Sequence, residues 1–148
     1  MSTYSHILLA IDLSDESDQL ITKAAELARL YDAELDIIHV VEPLTFAYGG
    51  DVPMDLSTIQ EQLDEHAEQK LNQLCATVDH PVSRRHIVTG HTESEIHRVA
   101  REVSADLIIV GSHGRHGLAL LLGSTANGVL HGAQCDVLAI RVKDQDAK

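Results

Sequence analysis

The chain has 148 residues, enough for one domain with a full hydrophobic core. Hydrophobic residues make up 44% of the sequence but aromatic residues only 3%, so the core must be aliphatic. The formal net charge is −12, from 23 acidic and 11 basic residues. Such a charge argues against binding to nucleic acid or to an anionic membrane surface, because both depend on basic patches.

Cysteine usage and the amino terminus bear on the cellular compartment. Cys75 and Cys135 lie far apart and form no paired motif, which argues against a disulfide framework or a zinc knuckle. We expect both to serve in packing. The first residues show no basic region followed by an apolar one, and no apolar run approaches the length of a membrane span. We therefore expect a reduced, cytoplasmic protein with a single domain over residues 1–148.

The first third of the chain predicts a strand, a helix and a second strand. His6–Asp12 is an unbroken apolar run that ends in an acid, which is typical of a strand buried on both faces. Ser14 is a candidate N-cap, and the acids at 15 and 16 favour the positive end of the following helix. The next strand is Glu34–Val41. The apolar face of the helix between them consists of Leu20, Ala24, Leu27, Ala28 and Tyr31.

The middle of the chain begins with an irregular connection. Glu42–Leu56 holds two prolines and two adjacent glycines and shows no period, so we interpret it as a lid or a partner surface. Ser57–Gln60 matches a capping box at the start of a long helix. Val82–Thr89 predicts a weaker strand whose polar residues indicate a sheet edge. In the long helix that begins at Ser57, the apolar side consists of Ile59, Leu63, Ala67, Leu71 and Leu74, and we expect this side to be buried.

The last third repeats the alternation of helix and strand. Thr92–Glu95 is a second capping box, and Ile96, Val99, Ala100 and Val103 form the buried stripe of its helix. Further segments are a strand at Leu107–Val110, a helix at Ser124–His131 closed by Gly132, a strand at Asp136–Val142 and a frayed tail at Lys143–Lys148. Strict alternation of this kind predicts an α/β fold with a parallel sheet and right-handed crossovers.

The stretch Gly111–Thr125 is the strongest candidate for a functional loop. Four glycines follow a buried strand, and the hydroxyl pair Ser124 and Thr125 opens the next helix. Glycines let backbone N–H groups approach an anion, and a helix N-terminus adds unpaired donors, so the stretch predicts a phosphate cradle. It matches neither the Walker A loop nor Gly-x-Gly-x-x-Gly. The alternative is a purely structural glycine turn.

Over nearly its whole length the chain resembles the universal stress protein A family. The resemblance rests on five segments: His6–Ser14, His39–Val41, Asp106–Gly114, Gly123-Ser124 and Cys135–Ile140. It implies an open parallel five-stranded sheet of order 3-2-1-4-5 with helices on both faces, like the adenine nucleotide alpha hydrolases, and a homodimer formed through the last strand. That order puts a topological switch between the first and fourth strands, where open α/β sheets bind ligands.

The family has one branch that binds ATP and one that does not. Here Gly111-x-x-Gly114 and Gly123-Ser124 both match the ATP-binding loop, but only eight residues, Arg115–Leu122, separate them. That is one residue fewer than the family's loop has. A missing residue rotates a helical segment by about 100° and shortens it by about 1.5 Å, enough to misdirect phosphate donors. A looser loop would absorb the deletion, so both ATP binding and the absence of ATP binding stay open.

The resemblance assigns roles to individual residues. Asp12 would contact a ribose hydroxyl or Mg²⁺; the alternative is that it only forms a turn. The backbone of Val41 would hydrogen-bond to the edge of the adenine ring. Local positive character in the loop would come from Ser112, His113, Arg115 and His116, unless these are simply solvated. His113 and His116 also form half of a metal site on paper, which nearby ligands do not complete. The phosphate ligands would be Gly111, Gly114, Gly123, Ser124 and Thr125.

Two functions of different class remain. The first is a cytoplasmic stress-response binding protein whose ligand is ATP or another adenine nucleotide, with Mg²⁺. The second is a nucleotide-free dimeric adaptor that binds a protein partner through Glu42–Leu56. No nucleophile–base pair is placed by the sequence, so we expect no enzyme beyond slow, incidental ATP hydrolysis or autophosphorylation. An adenylyl-transferring enzyme would need a Ser-Gly-Gly-x-Asp-Ser type of loop where this chain has Asp12–Ser17.

Overall fold

A computed structural model of the chain describes residues 3–14, 17–43, 56–113 and 124–142. Helices and strands alternate along these segments, as the sequence predicts. The strands are β1 His6–Ala10, β2 Glu34–Val41, β3 Arg84–Thr89, β4 Leu107–His113 and β5 Asp136–Val142. The helices are α1 Ser17–Tyr31, α2 Leu56–Cys75, α3 Thr92–Glu102 and α4 Ser124–Leu130.

The strands form one five-stranded sheet of order β3-β2-β1-β4-β5. Every neighbouring pair is parallel, so the predicted fold class and strand order are confirmed. The switch point lies at β1, because the chain moves from β1 to β2 on one side and later places β4 on the other. The predicted edge position of β3 is also confirmed.

The alternation of side chains along the buried strands divides the core into two layers. Ile7 and Leu9 pack with α1 and α2 on one face of the sheet. Leu8 and Ala10 pack with α3 and α4 on the other. Successive strand side chains point to opposite faces, so an unbroken apolar run serves both layers at once. Cys75 belongs to the first layer and Cys135 packs against the second, which confirms their expected packing role.

Helix starts differ from the predicted caps. Helix α1 begins at Ser17, and Ser14 contributes its carbonyl, which accepts Ser17 N–H at 3.0 Å. The acids at 15 and 16 lie outside the described residues. Helix α3 has His91 as its N-cap, and the hydroxyl of Thr92 donates to Glu42 at 2.8 Å. The predicted capping box at Thr92 is therefore wrong, because the hydroxyl has a partner in the chain after β2.

Helix α2, the connection before it and the end of α4 compare with their predictions as follows. Ile59 and Leu63 are 46% and 41% exposed, so the predicted buried stripe of α2 is wrong over its first half. Helix α2 begins at Leu56, one residue before the predicted cap at Ser57. Most of the irregular connection over residues 42–56 and the tail over residues 143–148 lie outside the described residues. Gly132 follows α4 with φ of +95°, as expected of a helix-terminating glycine.

Candidate functional site

A crevice lies at the carboxyl edge of the sheet because β1 is shorter than its neighbours there. The last pair that β1 makes with β2 joins Ala10 to Ile38, yet β2 continues to Val41 alongside β3. On the other side, β4 continues to His113 alongside β5. Each neighbour thus extends three residues beyond β1, a notch about 10 Å deep at the usual rise of a strand. This notch is the topological switch point.

Successive residues of a strand direct their backbone groups to opposite neighbours, which determines the backbone groups that face the crevice. Ile11 N–H donates to Ile38 O at 3.0 Å, so the carbonyls of Ile38 and Val40 point toward β1. Val41 O instead accepts Gly90 N–H at 3.1 Å, on the β3 side. The backbone predicted to read a base at Val41 is therefore engaged with β3, and Val40 presents its backbone to the crevice.

The same alternation applies to β4. Odd-numbered residues of β1, such as Ile11, direct their backbone groups to β2, so its even-numbered residues face β4. In a parallel ladder only one residue of each pair bonds across, so Leu8 faces β4 and its partner Ile108 faces β5. Odd-numbered residues of β4 therefore face β1, and beyond the end of β1 the backbone groups of Gly111 face the crevice, whereas those of Ser112 face β5. The side chain of Ser112 is half-buried.

Asp12 lies at the floor of the crevice with an exposed side chain. Its Oδ1 accepts Ser14 N–H at 2.9 Å and forms a turn. Leu13 between them has φ of 60°, a left-handed conformation that costs energy for a branched side chain. The turn role that competed with ligand binding is thus present, and the carboxylate lies exposed at the end of β1.

His39 fixes the end of β1 from the side of β2. Its Nδ1 lies 3.0 Å from Ile11 O. A carbonyl oxygen only accepts, so Nδ1 carries the proton and donates. This hydrogen bond joins one wall of the crevice to its floor. His39 was recognised in the sequence only as part of a matching segment, and its spacing from the first strand could not reveal this contact.

Gly111 has a packing role beside the crevice. A Cβ at this position would lie 2.9 Å from Leu20 Cδ1 and 3.2 Å from Val142 Cγ2. Its partner in β5 is Ile140. The absence of a side chain therefore lets α1 pack closely on the end of β4, which is where the phosphate-cradle interpretation placed a ligand contact.

The remaining predicted ligands are only partly described. Gly114, Arg115, His116 and Gly123 lie outside the described residues. His113 ends β4, while Ser124 and Thr125 open α4, and these three are described by their backbone alone. Among the residues that the structure describes, no group of three or more His, Cys, Asp or Glu side chains is arranged to hold a metal ion.

A cluster that no sequence motif predicted lies on the α3–α4 face of the sheet. Asp36 is 0% exposed, and its two carboxylate oxygens lie 3.2 Å from His6 Nε2 and 2.9 Å from His86 Nε2. His6 Nδ1 lies 3.3 Å from a carboxylate oxygen of Glu34. The signal available in the sequence was the single acid within the β2 apolar run.

The chain has an open parallel sheet with a crevice at its switch point. This is the architecture of α/β proteins, in which ligands bind at the carboxyl edge of the sheet. The chain belongs to the universal stress protein family, whose family model matches residues 3–141. Universal stress protein A homolog 1 of Coxiella burnetii is 44% identical over 142 residues, covering 95% of this chain and 99% of that protein.

Solved structures share the fold. Universal stress protein UspA from Lactobacillus plantarum has a TM-score of 0.79 and 27% identity, covering 95% of this chain and 100% of that chain. A universal stress protein crystallised in complex with cAMP has a TM-score of 0.61 and 23% identity, covering 96% of this chain and 100% of that chain. Among the helices of residues 17–31, 56–75, 92–102 and 124–130, none is both long and apolar enough to cross a membrane.

Proposed function

We propose that this protein binds an adenine nucleotide in the switch-point crevice and acts as a cytoplasmic stress-response regulator. The observation that carries the proposal is the notch formed where β2 and β4 extend beyond β1. Its walls direct backbone groups of Val40 and Gly111 inward, and its floor holds an exposed carboxylate. The cAMP complex of a protein with the same fold lends support to an adenine ligand.

Each side of the crevice suits one part of a nucleotide. Asp12 would accept a ribose hydroxyl or contact a Mg²⁺ ion carried by the phosphates. Peptide groups of Val40, next to the predicted Val41, would pair with the adenine edge. The phosphates would extend toward the glycine loop, whose Gly114, Arg115, Gly123, Ser124 and Thr125 stay predicted ligands. Binding would order this loop, and a partner would recognise the change.

The short loop favours a second candidate function, a dimeric adaptor that holds no nucleotide. Eight residues between Gly114 and Gly123 are one fewer than the family's ATP-binding loop has. Strand β5 forms an edge of the described sheet, with Leu138 38% exposed. An apolar edge strand is a natural pairing surface for a second copy of the chain. The nucleotide and adaptor functions differ in whether the crevice is occupied.

Calorimetric titration of nucleotide-stripped protein with ATP and Mg²⁺, AMP and cAMP distinguishes the two. We expect micromolar binding of at least one nucleotide, weakened about tenfold by Asp12→Asn, which is about 1.4 kcal/mol. Asp79→Asn is the matched control, because Asp79 is an exposed aspartate on the turn after α2. Gly114→Ala tests the loop separately. Absence of heat with all three nucleotides would overturn the proposal and leave the adaptor function.

A further inference from the structure

We propose that the protein has a second ligand site, for a small organic carboxylate, at the amino edge of the sheet. A cavity of about 370 Å³ lies there between the end of α3, the turn after α4 and the start of β4. The switch-point crevice is at the opposite edge, so the two sites are separate. The lining consists of His97, Ala100, Arg101, Ser104, Ala105, Ile108, Gly132, Gln134 and Cys135.

Arg101 supplies the positive charge of this cavity. One turn of α3 away, Arg98 contacts Glu95 at 3.0 Å and Glu102 at 2.7 Å. The guanidinium of Arg101 has no ion pair or hydrogen bond with any residue that the structure describes. The Arg101 side chain is exposed, so its donors are solvated and open to an anion in the cavity. Its place in the last turn suits the helix dipole but leaves its N–H donors open.

His97 adds a buried polar atom without a partner. Its Nε2 is inaccessible to solvent and makes no hydrogen bond. An unpaired buried nitrogen is unfavourable, and this one lies behind the wall of the cavity rather than in contact with its open space. Gly132 forms the wall beside it: a Cβ there would lie 3.8 Å from His97 Nε2. The exposed side chains of Ser104 and Gln134 border the cavity and have no hydrogen-bond partner among the described residues.

The remaining walls determine the class of ligand. Ala100, Ala105 and Ile108 form an apolar floor. A guanidinium pairs with the two oxygens of a carboxylate, and the floor suits a short hydrocarbon body. The volume lies near the lower end of the range of about 300–1,000 Å³ for ligand pockets. Inorganic phosphate would use the charge but not the floor, so a carboxylate fits better.

Cys135 lines the cavity as an uncharged thiol. Burial raises the pKa of the Cys135 thiol, and the nearby carboxylates of Asp136 and Asp106 raise it further. A thiolate would repel an anionic ligand and compete for Arg101, whereas a thiol does neither. Cys75 is buried within the core, so Cys135 is the cysteine that reports occupancy of the cavity.

Binding is tested with butyrate as the probe, with butyramide and inorganic phosphate as comparisons. We expect butyrate to shift the amide resonances of Ser104 and Gly132 saturably in ¹⁵N-labelled protein. Butyramide should bind at least tenfold more weakly, since it lacks the charge. Arg101→Gln should weaken butyrate at least tenfold. Arg29→Gln, which removes an equal charge from an exposed residue at the end of α1, should leave it unchanged.

A second readout does not depend on any variant. Butyrate should slow the alkylation of Cys135 by iodoacetamide at mildly alkaline pH several-fold, and butyramide should not. The proposal is overturned if butyrate gives no saturable shift and no protection. It is equally overturned if butyrate and butyramide bind alike, or if only phosphate binds. Because nucleotide is absent from every sample, these outcomes are independent of the switch-point crevice.

Discussion

Asp36 and His86 lie on adjacent strands and meet at 2.9 Å between carboxylate Oδ2 and imidazole Nε2, beneath α3. The strand register pairs Asp36 with Arg84, so the contact runs diagonally, two residues along β3. A carboxylate that is 0% exposed is tolerated only when hydrogen-bonded donors compensate its charge. His6 Nε2 on β1 lies 3.2 Å from the other oxygen, Oδ1, without forming a hydrogen bond, so the cluster brings side chains of three strands together around the single hydrogen bond from His86.

Removal of His86 should destabilise the fold because it deprives the buried carboxylate of its closest donor. We expect His86→Leu to lower the free energy of unfolding by about 2 kcal/mol, as for a hydrogen bond to a charged group. Thr89→Leu, at an exposed position at the other end of the same strand, should change it by no more than about 0.5 kcal/mol. Urea unfolding provides the measurement. In an Asp36→Asn background the effect of His86→Leu should shrink, and equal effects in both backgrounds would contradict this account.

A side chain at Gly111 should lower the stability of the protein. A methyl group there meets Leu20 Cδ1 at 2.9 Å, so we expect Gly111→Ala to reduce stability by about 1–3 kcal/mol through overpacking. Thermal and urea unfolding measure the loss. Leu20→Val removes the atom that clashes, and the double variant should be more stable than the sum of the single changes predicts. Strict additivity would show that the contact is not the cause.

Tyr4 ties the amino terminus to β5 through a 2.8 Å hydrogen bond from its hydroxyl to Asp136 Oδ2. This bond, aided by burial and the charge of Asp136, raises the pKa of Tyr4 above its ordinary value. The hydrogen bond of Tyr4 therefore makes its whole contribution to stability below the unfolded-state pKa of about 10. That contribution is lost as the pH rises through the higher pKa of the folded state. Ultraviolet titration of tyrosinate should show one late component that Tyr4→Phe removes. Asp136→Asn should move it to lower pH; no movement would argue against the bond.

The fold was predictable because hydrophobic periodicity reports burial directly. The apolar run in β1 and the helical stripe of α3 had to face a core, and only the alternating α/β arrangement supplies one for each. Contacts between distant residues were not predictable. The hydroxyl of Thr92 fits a cap by local spacing, yet it donates to Glu42, which only the folded sheet brings near.

In the candidate site, too, some features were predictable from the sequence and others depended on contacts between distant residues. The switch point followed from the strand order that the family resemblance implied, and Asp12 followed from its place after β1. Val41 was predicted from the resemblance, and no sequence signal tells which neighbouring strand its backbone carbonyl faces. The answer depends on the hydrogen bond from Gly90, formed only after β3 pairs with β2. Asp36 and Arg101 went unnoticed because a lone charged residue carries no motif.

Asp32 ends α1 in the left-handed conformation that glycine usually supplies. Its φ is 51°, and Ala33 N–H donates to Ala28 O at 2.8 Å, as in a Schellman motif. We expect Asp32→Gly to raise the free energy of unfolding by about 0.5–1 kcal/mol, since it relieves the strain of Cβ and removes a negative charge from the helix C-terminus. Ser104, with φ of 58°, is the matched position without a charge. Ser104→Gly should stabilise less, and a loss of stability in both variants on urea unfolding would contradict the assignment.

The outer edge of β5 should mediate association between two copies of the chain. Even-numbered residues of β4 face β5, and the register pairs Val110 with Ala139, so Ala139 N–H points away from the sheet. Ala139→Pro removes that outward donor without breaking the β4–β5 ladder, because proline is tolerated on the solvent side of an edge strand.

We expect the unmodified protein to sediment as a dimer and Ala139→Pro to sediment as a folded monomer in analytical ultracentrifugation. Leu138→Thr keeps the outward N–H group of Ala139 while it reduces apolar surface, so it should weaken the dimer less than Ala139→Pro does. Circular dichroism establishes that both variants are folded. An Ala139→Pro variant that still dimerises would move the interface away from β5, toward another surface such as that around Leu130, which is 51% exposed at the end of α4.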